Sequence, residues 1–135
     1  MDLILRPIGF VRSPFKIKGD APRQGRLSAT VSEIVIDDEY REGLKDIEKK
    51  SHLLVLSWFD RADRSVLRAT PPHEGVEHGV FATRSPSRPN PVALSLVDLI
   101  RREGQVLTVR GLDAFDGTPV VDIKPYFPEI DCVRD

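Results

Sequence analysis

The sequence contains few of the residues on which several common protein classes depend. Its 135 residues include a single cysteine, Cys132, so no disulfide can form within the chain, and a reducing, cytoplasmic setting is expected. The three histidines have neither cysteine partners nor the spacing of zinc ligands, so we expect no metal site. No apolar run approaches the ~18 residues of a membrane span, and no signal-peptide pattern is found. We expect one cytoplasmic domain over residues 1–135.

An excess of positive charge is also lacking. Lys and Arg number 20 against 21 Asp and Glu, which gives a net charge of -1. Affinity for nucleic acid depends on phosphate neutralisation, so any RNA binding must come from a local patch. One cluster qualifies, although such clusters are usually solvated faces. It comprises Arg12, Lys16, Lys18, Arg23 and Arg26.

Short apolar segments separated by turn residues predict a mainly β fold. We expect strands over 4–12, 27–36, 52–59, 66–70, 91–101, 105–112 and 120–123, with 80–83 as a further short apolar run. Segment 52–59 is apolar on both faces, so it predicts a central strand, and a change of phase within 27–36 predicts a bulge. A helix is expected over 39–47, capped by Asp37 or Asp38. The prediction is a single small antiparallel β-barrel domain of about seven strands with one short helix.

Two segments carry polar side chains on stiff backbone. Residues 79–91, GVFATRSPSRPNP, place Arg84, Arg88 and Asn90 among three prolines, which leave a loop few accessible shapes. Such a loop holds polar groups ready for a ligand at low ordering cost, although one loop alone is more typical of a surface turn. Residues 113–126, DAFDGTPVVDIKPY, combine the same features. Two such segments predict one site built from both.

The common nucleotide-binding motifs, a Rossmann G-x-G-x-x-G after a strand and a P-loop, are absent. Together with PIGFVRSPF at 7–15, PRQ at 22–24 and SHL at 51–53, the two segments resemble the TsaA-like family, also called TrmO, over nearly the whole chain. Its members are S-adenosylmethionine-dependent tRNA methyltransferases. The resemblance implies a small β-barrel that binds S-adenosyl-L-methionine (SAM), and a homodimer with the cofactor near the subunit interface. It also implies methylation of N6 of threonylcarbamoyladenosine at position 37, in the anticodon loop of tRNA.

The resemblance also implies which residues bind the cofactor. They are Pro22, Arg23, Gln24, Asp60, Arg61, Arg84, Leu94, Asp113, Ala114, Phe115 and Asp116. Asp60 and Arg61 differ in type from the residues usual in the family, and Ala93 stands where relatives often have glycine. Many bacterial relatives carry a further C-terminal domain thought to help grip tRNA, whereas this sequence stops at Asp135.

Guanidinium groups match planar carboxylates, so we expect Arg84 to contact the methionine carboxylate of SAM, and Arg88 to brace the loop or contact substrate. Trp58, Phe59, Phe81 and Phe115 are candidates to stack on the adenine of SAM. Aromatic residues in apolar strands are mostly core, so Phe115 is the one expected near the ligand.

Methylation of an amide-like nitrogen requires an acceptor for its proton. Asp116, Asp122 and Tyr126 are the polar candidates, and Lys124 shares a strand face with Tyr126. We predict Asp116, Lys124 and Tyr126 as catalytic, although Asp116-Gly117 equally suits a plain turn and Tyr126 a packing role. Two alternatives stay open: a methyltransferase with a different acceptor, and a non-catalytic module that binds SAM or RNA.

Overall fold

The mainly β prediction is confirmed by a computed structural model of the protein, which describes residues 1–14 and 30–133. The strands are β1 (Gly9–Arg12), β2 (Val31–Ile36), β3 (His52–Trp58), β4 (Arg68–Ala69), β5 (His78–Gly79), β6 (Val92–Glu103), β7 (Val106–Arg110) and β8 (Pro119–Pro125). Six of them close an antiparallel barrel in the order β1-β2-β7-β6-β3-β8. The short pair β4-β5 stands apart from it.

Strand β3 is central, as its two-sided apolar pattern predicts. It pairs with β6 on one side and β8 on the other, so that Leu56 lies opposite both Leu94 and Asp122. Alternate residues along β3 point into the barrel and are buried, among them Leu53 and Val55. The barrel core is completed by Val11, Ile34, Ile36, Leu44, Val97, Leu107, Val109, Leu112, Ala114 and Val120.

The predicted α-helix over 39–47 is wrong in type. The segment forms two 3-10 helices, Asp38–Leu44 and Ile47–Lys49, separated where Asp46 adopts a left-handed conformation with φ 71°. Asp37 precedes the first helix without a capping hydrogen bond from its side chain. The buried Leu44 still anchors the segment to the core, so the apolar spacing predicted the packing and not the helix type. The short α-helix of the fold is α1 (Pro128–Asp131), which starts at a proline.

Two further predictions, the start of the first strand and the bulge within 27–36, need correction. Residues 4–8 precede the first strand, and the short apolar run 80–83 contains a 3-10 turn, Val80–Ala82. Over Val31–Val35, β2 pairs with β7 without a shift of register, so the predicted bulge is not found there. The apolar pattern changes phase because the polar Ser32 takes an inward-facing position. Register shifts occur instead between Leu56 and Ser57, and between residues 99 and 101.

Gly9 marks a close approach of two backbones in the barrel. A Cβ at this position would lie 2.1 Å from the carbonyl oxygen of Val35 and 3.0 Å from Cα of Ile36. We expect Gly9→Ala to destabilise the fold by about 1–3 kcal/mol, because neighbouring strands must separate to admit the methyl group. The urea unfolding midpoint measures the effect. Gly79→Ala is the matched control, since Gly79 has open space and a φ of -62°; equal midpoints for both variants would contradict the prediction.

The register of β3 with β6 defines two ends of the barrel. Trp58 pairs with Val92 at one end, and His52 pairs with Asp98 at the other. At a rise of about 3.3 Å per residue, these ends lie roughly 20 Å apart along β3. The proline-rich loop 83–91 enters β6 at the Trp58 end.

Candidate functional site

The proline-rich loop is held in shape by the guanidinium group of Arg88. One Nη donates to the carbonyl oxygens of Thr83 and Ser85, both at 3.0 Å, and the other donates to Val80 at 2.9 Å. The Thr83 hydroxyl also donates to Val80, at 3.0 Å. Of the two roles expected for Arg88, the structure shows the bracing one.

The same loop is fastened to the segment that follows β3. Arg64 donates from Nε to the carbonyl oxygen of Pro89 at 2.7 Å and from Nη2 to Oδ1 of Asn90 at 3.1 Å. Its guanidinium carbon also lies 5.1 Å from the centre of the Trp58 ring. Asn90 is thus bonded within the protein, whereas the sequence suggested a ligand contact. Arg64 was missed, because its partners lie 25 and 26 residues away.

A turn beside Arg64 is stabilised by Asp63. Its carboxylate accepts the Ser65 hydroxyl at 2.6 Å and the Ser65 backbone N–H at 2.9 Å. These bonds, the hydroxyl bond first, hold the pKa of the Asp63 carboxyl below its usual value. The backbone N–H of Asp63 donates in turn to Ser87 Oγ at 3.3 Å, so the turn and the loop form one unit.

A cleft lies between this loop and the start of β6, and we call it the loop cleft. Its volume is about 270 Å³. It is lined by Phe59, Thr83, Arg84, Ser85, Pro86, Arg88, Pro91, Val92, Ala93, Leu94 and Asp113. The structure therefore brings together three residues that sequence reasoning assigned to the cofactor: Arg84, Leu94 and Asp113.

Two charged side chains of the loop cleft, Arg84 and Asp113, differ in exposure and in hydrogen bonding. Arg84 is exposed and makes no hydrogen bond or ion pair with any residue in the described part of the chain. Asp113 is half-buried and accepts a hydrogen bond from the buried Ser95 hydroxyl at 2.9 Å. Leu94 is 51% exposed, although it stands on a barrel strand. The cleft thus offers an available cation, an oriented carboxylate and apolar surface.

The segment 113–116 runs from the loop cleft to the next strand. Ala114 is buried in the core, and Phe115 lies under Arg61, whose guanidinium carbon is 5.0 Å from the ring centre. Oδ1 of Asp116 accepts the backbone N–H of Ser13 at 2.9 Å. Two predicted cofactor segments, 60–61 and 113–116, are thereby in contact, and Asp116 is fixed to the end of β1.

Asp116 lines a second depression, which we call the Asp116 hollow, of about 710 Å³. Its other lining residues are Phe10, Arg12, Ser13, Pro14, Val31, Ser32, Glu33, Arg101, Thr108 and Gly117. Arg12 forms an ion pair with Glu33 at 3.1 Å, so part of its charge is neutralised. The predicted cofactor residues Pro22, Arg23 and Gln24, and the rest of the basic cluster, lie outside the described residues.

Within a single chain, Lys124 and Tyr126 lie away from the loop cleft. Lys124 pairs with Leu54 in the sheet and forms an ion pair with Asp122 at 3.1 Å. The Tyr126 ring meets the His52 ring edge-on, with 6.3 Å between centres. Since His52 marks the far end of β3, Tyr126 lies roughly 20 Å from the Trp58 end. Their catalytic role stays a prediction.

His52 is engaged in contacts at this far end of the barrel. Nδ1 lies 2.9 Å from the Ser51 hydroxyl, and Nε2 lies 3.2 Å from Oδ1 of Asp98. Across the described ranges, 1–14 and 30–133, no group of three or more His, Cys, Asp or Glu side chains is arranged to bind a metal. Within the same ranges, the helices are too short or too polar to cross a bilayer.

Comparison with known proteins identifies the family. A family model described as the tRNA-methyltransferase O N-terminal domain matches residues 10–132. An Archaeoglobus fulgidus protein named S-adenosyl-L-methionine-binding protein is 60% identical, over 98% of this chain and 95% of its own length. A Pseudomonas aeruginosa protein named putative S-adenosylmethionine-dependent methyltransferase RcsF is 40% identical, over 97% of this chain and 58% of its own.

A solved structure agrees with these matches. A crystal structure of TrmO superposes with a TM-score of 0.83 at 38% sequence identity, and the match covers 100% of this chain and 60% of that chain. The chain therefore spans about three fifths of the solved TrmO chain and of the Pseudomonas protein. The predicted resemblance is confirmed: the chain belongs to the tRNA-methyltransferase O N-terminal domain family.

Proposed function

We propose that this protein is a SAM-dependent methyltransferase acting on N6 of threonylcarbamoyladenosine at position 37 of tRNA. The observation that carries the proposal is the loop cleft, in which Arg84, Leu94 and Asp113 meet from three separate segments. The names of two relatives refer to S-adenosyl-L-methionine binding and to methyl transfer, which supports the cofactor. The description of the family supports a tRNA acceptor.

The side chains of the loop cleft fit the chemical groups of SAM. The exposed guanidinium of Arg84 suits the planar carboxylate of the methionine portion, which it can bind through two parallel hydrogen bonds. The carboxylate of Asp113 complements a positively charged group of SAM, and the exposed Leu94 offers apolar contact to the cofactor. SAM supplies a methyl group activated by a positively charged sulfur. A guanidinium beside that sulfur would be unfavourable, so Arg84 serves the carboxylate end.

The acceptor nitrogen must lose a proton as it is methylated, and we assign that proton to Asp116. Its Oδ1 accepts from the Ser13 N–H, which fixes the orientation of the carboxylate at the edge of the Asp116 hollow. Residues 113 to 116 span at most about 10 Å of extended chain, so one short segment holds both carboxylates. Positioning of the reacting groups then accounts for much of the rate.

The proposal includes a homodimer. Val92 and Leu94 are 37% and 51% exposed, on the outer face where β6 pairs with β3. A second copy covering this face would bury both side chains and deepen the cleft.

Calorimetric titration with SAM, with ATP as the control ligand, tests the cofactor. We expect saturable binding of SAM at about one site per chain, and S-adenosylhomocysteine formed when tRNA carrying threonylcarbamoyladenosine is added. Binding without transfer to any tRNA would favour a non-catalytic SAM-binding module. Transfer to another acceptor alone would overturn the substrate.

In the same titration, Arg84→Ala is expected to weaken SAM binding by about 1.5–3 kcal/mol, or roughly 10- to 150-fold, the value of a charge-assisted hydrogen bond. Its thermal stability is expected to match wild type, since Arg84 bonds to no described residue. Unchanged affinity would place the carboxylate of SAM elsewhere.

A further inference from the structure

Phe81 is exposed to a degree that packing does not explain. Its side chain is 81% exposed, the highest value for a large apolar side chain among the described residues between 6 and 132. The sequence suggested a core role or contact with adenine, but the ring neither packs in the barrel nor lines the loop cleft. A phenylalanine ring offers a large area for burial, so leaving it in water forgoes a substantial stabilisation.

The backbone that carries this ring is nevertheless fixed on both sides. The Val80 side chain is buried, and its N–H donates to the Leu67 carbonyl oxygen at 3.0 Å. The Val80 carbonyl oxygen accepts from the Arg88 guanidinium, the Thr83 hydroxyl and the Thr83 N–H. Phe81 itself has only two side-chain torsions to immobilise. A ring held this firmly loses little entropy when a partner covers it.

The position of Phe81 selects the kind of partner. It stands on the turn that leads into the loop cleft. An exposed aromatic ring at this place suits a flat base of the acceptor, because the ring can stack on the base. A ring without hydrogen-bonding groups also places no demand on the identity of the base.

We propose that Phe81 stacks on a base of the acceptor RNA beside the loop cleft. The inference rests on the proposed function, since it assumes that the acceptor is an RNA. It adds a residue that binds the acceptor, separate from the residues assigned to the cofactor. Phe81 thereby positions RNA at the cleft without contributing to the affinity for SAM.

The test compares Phe81→Ala, Phe81→Trp and Ile130→Ala with wild type. Ile130 is a matched control, because it is 76% exposed and follows β8 beyond the His52 end of the barrel. Two quantities are measured with saturating SAM: the Kd of a fluorescent anticodon stem-loop, and the KM for tRNA in methyl transfer. SAM affinity and sedimentation of each variant are measured in parallel.

We expect Phe81→Ala to raise both the RNA Kd and the KM by about 5- to 150-fold, the usual range for loss of one base–aromatic stack. Phe81→Trp should restore both, and Ile130→Ala should change neither. SAM affinity and oligomeric state should stay at wild-type values in all variants.

Three results would overturn the inference alone. Wild-type RNA binding by Phe81→Ala would exclude stacking on the acceptor. Weakened SAM binding without a change in RNA affinity would assign the ring to the cofactor. Dissociation of the variant into monomers would assign the ring to the interface with a second copy. A wild-type protein that binds SAM but neither binds nor methylates RNA overturns the proposed function, and the inference with it.

Discussion

Arg88→Ala is expected to lower the stability of the protein by about 2–4 kcal/mol and its melting temperature by roughly 10 °C. One guanidinium group donates three hydrogen bonds, to Val80, Thr83 and Ser85. Hydrogen bonds from a charged group are each worth about 1.5–3 kcal/mol, and those of one side chain do not add fully. Thermal unfolding followed by circular dichroism measures the loss.

The same variant is expected to lose more than tenfold in SAM affinity, although we assign no contact between Arg88 and the cofactor. Arg84 lies on the backbone that Arg88 fixes, so its guanidinium would no longer be held ready for a carboxylate. The expected pattern therefore differs from that of Arg84→Ala, which weakens binding and leaves melting unchanged.

Arg88→Lys separates charge from shape. A lysine keeps the positive charge, but a single ammonium group lacks the planar fork that reaches three carbonyl oxygens at once. We expect it to recover less than half of the lost stability. A melting temperature equal to wild type in Arg88→Ala would show that the loop is held by its prolines alone.

Asp116→Asn is expected to lower kcat for tRNA methylation by about 10²–10⁴-fold, the usual contribution of a positioned proton acceptor. An asparagine keeps a carbonyl oxygen that can accept the Ser13 N–H, as Oδ1 of Asp116 does at 2.9 Å. Folding and KM for tRNA should therefore stay near wild type. Single-turnover transfer of a labelled methyl group measures the chemical step.

Asp122→Asn is the matched control for that experiment. Asp122 is the other aspartate predicted as a candidate proton acceptor, and in the sheet it lies opposite Leu56, with an ion pair to Lys124 at 3.1 Å. We expect its turnover within about threefold of wild type. Full activity in Asp116→Asn would leave Asp116 with a structural role in the turn only. A large loss of kcat in Asp122→Asn would assign the proton acceptor to Asp122 on β8.

How far the sequence predicts the fold is best seen in β3 and the segment after β2. The two-sided apolar pattern of β3 predicts a central strand correctly: the strand is paired on both sides, with one face buried in the barrel and the other half-buried. The spacing of Tyr40, Leu44 and Ile47 predicts a helical face but not the 3-10 geometry. The left-handed Asp46 then separates the segment into two 3-10 helices, a break that the apolar spacing does not reveal.

In the candidate site too, some features follow from the sequence and others only from the tertiary structure. The sequence by itself determined that residues 79–91 form a stiff loop rich in polar groups, since proline restricts the backbone wherever it stands. Only the tertiary structure decided which groups remain available for a ligand. Arg64 and Asn90, 26 residues apart, bond to each other, Arg88 turns inward onto carbonyl oxygens, and Arg84 stays exposed.

Sequence also determined the family, because motifs from one end of the chain to the other agree in order and type. The closure of the barrel then decided the grouping: it brings Asp113 beside Ser95 and Arg84, and leaves Tyr126 at the far end of β3. The physical reason is that strand register fixes distances between residues remote in sequence. A one-residue change in register would turn each side chain to the opposite face of the sheet.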